Sequence, residues 1–133
     1  MHRFSKVSAA IAGLSLVAAC SSAAPAELSV SVVSDKGLVD ADVRVASPVE
    51  RGENDVFVEL RPHRGDGEPQ LLALRATMAA HGHEARAGVI EHTAAGYHAA
   101  DLDLFMTGRW LLELDLLAVD GEPDSVSLPV DVP

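Results

Sequence analysis

The feature that most constrains this chain is a period-two alternation of apolar and polar residues. Successive side chains of a β-strand point to opposite faces, so this pattern predicts strands with one buried and one solvated face. In the clearest example, apolar residues occupy every second position from Trp110 to Leu116. The alternation predicts eight strands, over residues 27–34, 40–47, 54–62, 71–78, 84–92, 97–106, 109–119 and 124–132.

Short segments rich in Gly, Asp, Asn and Pro separate these strands, as at 34–37, 63–69 and 120–123. Many short strands joined by such turns predict an all-β fold, an immunoglobulin-like two-sheet β sandwich of about seven to eight strands. One segment has an alternative. Residues 71–81 are rich in Leu and Ala, which favour helices, so a helix competes with the strand there.

Single aromatic and proline residues refine this prediction. Trp110, the only tryptophan, is expected to fill the core between the sheets. Pro129 lies inside the last predicted strand and therefore favours an edge position for it. Tyr97 opens a strand and precedes the small residue Ala99 by two positions, which resembles the tyrosine corner of immunoglobulin domains.

The N-terminus has the pattern of an export signal. Basic residues between His2 and Lys6 precede an apolar run from Val7 to Ala19, which is too short to span a bilayer. The run ends in "LVAAC", which resembles the bacterial lipobox and implies cleavage before Cys20 and attachment of lipid to it. The alternative is an ordinary secretory signal with Cys20 incidental. We therefore expect a lipoprotein signal peptide at 1–19, a lipidated cysteine and tether at 20–27, and one domain at 28–133.

The predicted mature chain is acidic and contains no second cysteine. Eight basic residues oppose 20 acidic ones, which disfavours nucleic-acid binding. We expect attachment to a membrane through the lipid, on the periplasmic face of the cell envelope. Ser21 follows Cys20 where an Asp would suggest inner-membrane retention, so the outer membrane is favoured in a Gram-negative organism.

The run from Met78 to Trp110 holds four of the six histidines and two of the three methionines. Imidazole nitrogen and thioether sulfur are ligands that suit copper. In "HGH", His81 and His83 are two apart, so on an extended backbone both rings would face one ion. The alternative for this pair is a solvent-facing turn. Histidines at 63, 92 and 98 are weaker candidates, and His98 is expected to face solvent.

Two methionines could complete such a site. Met78 and Met106 each end an apolar alternation, and core packing is the commoner use of methionine. A mixed site of His81, His83, Met78 and Met106 requires the two strand ends to meet near the histidine pair.

Three motifs together resemble a known family. They are "SPVERGENDVFVEL" (47–60), Met-x-x-His-Gly-His (78–83) and "GYHAADLDLFMTGRW" (96–110). Their order and spacing are similar to the YtkA-like family of small exported bacterial domains, which is related to FixH-type proteins. The likeness covers roughly 48–118. It implies an immunoglobulin-like sandwich, export, often a lipid anchor, and copper or another heavy metal, with Met78, His81, His83 and Met106 at the matching positions.

Nothing in the sequence indicates catalysis. Neither a Gly-x-Ser-x-Gly elbow, nor His-Glu-x-x-His, nor a phosphate-binding glycine loop is present. The carboxylates of Asp101 and Asp103 are expected on a solvated strand face. The leading hypothesis is an exported, non-catalytic lipoprotein that binds or delivers copper or another transition metal. The alternative is a structural or protein-interaction domain of the envelope, docking a partner protein and lacking a metal site.

Overall fold

The computed structural model describes residues 28–46 and 49–133. The predicted signal peptide (1–19), Cys20 and the tether (20–27) lie outside the described residues, as do Ser47 and Pro48. The described part of the chain contains nine strands and no helix. They are β1 Leu28–Val33, β2 Val39–Val45, β3 Gly52–Pro62, β4 Gln70–Met78, β5 His83–Arg86, β6 Val89–Thr93, β7 Gly96–Leu104, β8 Gly108–Leu117 and β9 Pro123–Val132.

These strands form two antiparallel sheets that pack face to face. The first sheet has the order β1-β2-β3-β7-β6, and the second has the order β5-β4-β8-β9. Strands β2-β3-β7-β6 occupy the places of A-B-E-D in an immunoglobulin domain, and β4-β8-β9 occupy those of C-F-G. The prediction of an all-β, immunoglobulin-like sandwich is therefore confirmed, with β1 added at the outer edge of the first sheet.

The inward residues of both sheets form one apolar core. Trp110 is completely buried, as predicted, and its indole Nε1 donates a hydrogen bond to the backbone carbonyl of Met106 at 2.9 Å. The alternation that predicted the strands is visible as burial, since in β8 every second residue from Trp110 to Leu116 is buried. The strand prediction for 71–78 is confirmed by β4, so the helical alternative there is wrong. Strand β9 is an edge strand, as Pro129 predicted.

One predicted strand was wrong in its extent. Residues 84–92 form two strands, β5 and β6, that belong to different sheets, which raises the total to nine. The chain crosses between the sheets at Ala87 and Gly88. The Ala87 amide donates to the Leu74 carbonyl of the second sheet at 3.1 Å, and the Gly88 amide donates to the Ala100 carbonyl of the first at 2.9 Å. These two bonds fix the crossover.

The tyrosine-corner prediction was also wrong. Tyr97 lies in β7, which has the place of strand E rather than F, and its ring stacks on His92 with 4.3 Å between centroids.

Further along β7, a bulge sets two residues opposite Asp55 of β3. Asp101 has a φ of +58° there. Both Asp101 and Asp103 are exposed, as expected for a solvated face.

A buried carboxylate fastens the β1–β2 turn to the start of β9. Asp124 is 6% exposed and accepts hydrogen bonds from the Ser34 hydroxyl (2.6 Å) and from the backbone amides of Lys36 (2.9 Å), Ser125 (2.8 Å) and Leu38 (3.3 Å). Burial by itself raises the pKa of this carboxyl. The four hydrogen bonds outweigh burial and hold the pKa of Asp124 below its ordinary value.

Because this pKa is lowered in the folded chain, ionised Asp124 stabilises the fold above its unfolded pKa, near 3.8, and the benefit disappears as pH falls through the folded value. We expect Asp124→Ala to lower the free energy of unfolding at neutral pH by about 1–3 kcal/mol, since buried donors lose their acceptor. Urea denaturation at neutral and acidic pH measures this. Asp131→Ala, at a side chain 73% exposed, is the control. An Asp124 effect as small as that of Asp131 would contradict the assignment.

Candidate metal-binding site

The candidate site begins at the turn between β4 and β5. Met78 and His83 are the last cross-strand pair, and the His81 amide donates to the Met78 carbonyl at 3.1 Å, which closes the turn. Gly82 has a φ of +66°, in the left-handed region that favours glycine. His81 therefore lies in a turn, and the expected extended His-Gly-His arrangement is wrong. The turn nevertheless brings the two rings near each other.

The imidazole rings of His81 and His83 have centroids 6.1 Å apart and planes inclined by 27°. A histidine nitrogen lies about 2.0–2.1 Å from a bound zinc ion, so two rings that share one ion of this kind have centroids roughly 5–6 Å apart. His81 is exposed and His83 is half-buried. The observed 6.1 Å between the two centroids lies at the upper limit of that range.

An aromatic chain connects the histidine pair to the core. The His83 ring packs edge-to-face on Phe105, with centroids 5.2 Å apart, and Phe105 packs edge-to-face on Trp110 at 5.3 Å. Edge-to-face contacts at such distances are favourable for aromatic rings. They place the β7–β8 turn, residues 105–107, beside the β4–β5 turn. The two predicted strand ends thus meet.

The two methionines differ in their surroundings. Met78 is 3% exposed and belongs to the core, and a Cβ placed on Gly108 would lie 3.4 Å from its methyl carbon. Met106 is half-buried at the core's margin, next to Phe105 in the chain, and its carbonyl is held by Trp110. Of the four predicted ligands, the structure brings together His81 and His83, sets Met106 in the adjoining turn, and buries Met78.

The other histidines lie elsewhere. His98 lies on the outer face of the first sheet, out of phase with buried Ala99 as expected, and its ring stacks on Phe57 with centroids 4.6 Å apart, which leaves 29% of the side chain exposed. His92 stacks on Tyr97. His63 Nδ1 lies 2.7 Å from Asp40. None of these rings is stacked on His81 or His83.

The donor set decides which ions fit. Within 28–46 and 49–133, no three His, Cys, Asp or Glu side chains group as metal ligands. The candidate donors on the two adjoining turns are the imidazoles of His81 and His83 and the thioether of Met106. Hard cations such as calcium or magnesium require several oxygen ligands, and a structural zinc site usually has four ligands. Imidazole and thioether are instead ligand types that copper accepts.

Sequence reasoning missed Phe105. It lies one residue before Met106 and is 40% exposed. The only signal in the sequence was its position in the alternation. Leu102 and Leu104 are buried, so Phe105, one residue later, is expected on the opposite, exposed face. Its contact with His83 depends on the meeting of two turns that are distant in sequence.

No family model, curated protein or solved structure matches this chain. In the described part of the chain, no helix has the length and apolar character needed to cross a membrane.

Gly82 allows a test of the turn itself. A Cβ at Gly82 would meet nothing within 4 Å, so Gly82→Ala adds backbone strain without a clash. We expect a loss of about 1 kcal/mol in the free energy of unfolding, because left-handed backbone is unfavourable for alanine. Gly121→Ala is the matched control, since Gly121 has a φ of +87°, equal free space, and a place in the β8–β9 turn.

Both variants should lose stability by similar amounts, measured by urea denaturation. If His81 and His83 bind copper, only Gly82→Ala should also weaken that binding, because only that turn sets the spacing of the two histidines. Equal copper affinity in the two variants would show that the turn does not shape a binding site.

Proposed function

We propose that this protein is an exported, non-catalytic lipoprotein of the YtkA-like kind that binds copper at His81 and His83 and passes it on. The observation that supports this most is the 6.1 Å separation of the two imidazole rings on a turn open to solvent. Copper is the substrate of this site rather than part of the fold, because the core is complete without it.

The low number of ligands supports transfer over storage. Two imidazoles leave coordination positions open on the ion, and an open position is where an acceptor's ligand attacks. His81 is exposed, so an incoming ligand can reach the ion. Met106 supplies a soft third ligand from the adjoining turn. The formal net charge of −10 also favours the approach of a cation.

Trp110 provides a direct assay of this proposal. It is the only tryptophan, and it contacts Phe105, which contacts His83. We expect copper(II) added to the full chain to quench the Trp110 fluorescence at one equivalent, and copper(I) to be withdrawn from a competing chelator with the same stoichiometry. His81→Ala/His83→Ala should lose both effects.

The matched control is His63→Ala/His92→Ala, which also removes two imidazoles but leaves the β4–β5 turn intact. It should bind copper as the unmodified chain does. Loss of binding in both double variants, or in neither, would contradict a site at His81 and His83. The interaction-domain alternative would then be favoured.

The predicted anchor has its own test. We expect the full chain produced in a bacterial host to sediment with the membrane fraction and to carry lipid on Cys20, because several acyl chains anchor a protein stably. Cys20→Ala should lose the lipid and leave that fraction, as measured by immunoblotting and mass spectrometry of the N-terminal peptide. Unchanged membrane association of the variant would rule out Cys20 as the anchor.

A further inference from the structure

Among residues 28–46 and 49–133, the two sheets have four edges, formed by β1 and β6 in the first sheet and by β5 and β9 in the second. An edge strand presents unpaired backbone N–H and C=O groups, and proteins usually block such edges with charges, prolines, bulges or very short strands. The four edges of this protein differ in how well they are blocked.

Three of the edges carry such features. Strand β5 has four residues, of which Glu84 and Arg86 are charged and form an ion pair at 2.8 Å. Strand β6 has five residues and includes Glu91. Strand β9 contains Pro123 and Pro129, which lack the N–H that a neighbouring strand would need. These features disfavour the addition of another strand.

Strand β1 has none of them. Its sequence, Leu-Ser-Val-Ser-Val-Val, contains no charge, no proline and no glycine, and its six residues pair regularly with β2 without a bulge. A short segment with high β propensity and no charge is the kind that adds to another strand. The rest of the chain is strongly acidic, so this uncharged edge is where two copies can meet with little electrostatic repulsion.

The inner face of β1 is incompletely covered. Leu28, Val30 and Val32 pair with residues of β2 that are fully buried, yet all three remain half-buried. The second sheet therefore does not shield this end of the first. A further strand beside β1 would remove more of this apolar surface from water.

We propose that β1 pairs in antiparallel fashion with β1 of a second copy, with Val30 opposite Val30. In that register Leu28 of one copy faces Val32 of the other on the inner side, and Ser29 faces Ser31 on the outer side. The first sheets of the two copies then form one continuous sheet of ten strands. The contact is isologous, since the same residues serve on both copies.

The register follows from the pleat. Directly opposed residues of paired strands lie on the same face of the sheet. The apolar residues of both copies therefore face inward only if even-numbered residues lie opposite even-numbered ones and odd-numbered residues opposite odd-numbered ones. A register with Ser31 opposite Ser31 would place Leu28 opposite Ser34, whose side chain is already hydrogen-bonded to Asp124. The register with Val30 opposite Val30 covers Leu28, Val30 and Val32 of both copies. Because one strand pair buries little surface, the dimer is weak and depends on concentration.

Disulfide trapping in the full chain tests this register. Copies carrying Ser29→Cys and copies carrying Ser31→Cys, with tags of different size, are mixed and exposed to an oxidant that contains no copper. Opposed residues have Cα atoms about 4.5–5.5 Å apart, within disulfide reach, whereas diagonal neighbours are about 7–8 Å apart. We expect the mixture to yield several-fold more cross-linked dimer than either variant alone.

Both serines are exposed, so the substitutions leave the core intact. The unmodified chain under the same oxidant measures any cross-linking through Cys20. Equal dimer from the mixture and from each variant alone, or no dimer at all, would overturn the proposal. As a second measurement, light scattering should show the mass of the unmodified chain rising toward a dimer with concentration. A monomer at every concentration would overturn the proposal as well, without bearing on copper binding.

Discussion

The structure depends on the burial of alternate side chains between two sheets. The chain has a single cysteine, so no disulfide within one copy can supplement that packing. Trp110 is central to it, since its ring is fully buried and its indole N–H finds an acceptor in the Met106 carbonyl. A buried indole N–H without an acceptor would be costly, and this bond also fixes the backbone of the β7–β8 turn. The core thus determines where that turn lies.

The same interaction positions the candidate site. Because the turn is held by Trp110, Phe105 is directed toward the β4–β5 hairpin and contacts His83. His83 therefore packs on an aromatic chain that reaches the core, whereas His81 lies in a turn open to solvent. The two histidines of the proposed site therefore differ, since His83 is half-buried against Phe105 and His81 is exposed.

The sequence predicts those features that depend on the local pattern of apolar and polar residues. It does not predict features that depend on which residues of different strands lie opposite each other. The alternation of apolar and polar residues predicted where the strands lie, because the apolar residues of each strand are the ones that the fold buries. It could not divide 84–92 between two sheets, because the crossover at Ala87 and Gly88 is set by carbonyls of Leu74 and Ala100. The stacking of His98 on Phe57 likewise depends on the pairing of β3 with β7. Spacing alone brought His81 and His83 together as candidates, whereas Phe105 emerged only from the meeting of two distant turns.

The core also discriminates between the two methionines as ligands. For Met78 to reach an ion at the histidine pair, its side chain would have to leave the packed interior, and emptying such a position costs about 2–5 kcal/mol. Met106 is half-buried at the margin, so its thioether can turn outward with little loss of packing, while its backbone stays bonded to Trp110. Of the two methionines, Met106 is therefore the one that could join His81 and His83 in the proposed copper site with the smaller loss of packing.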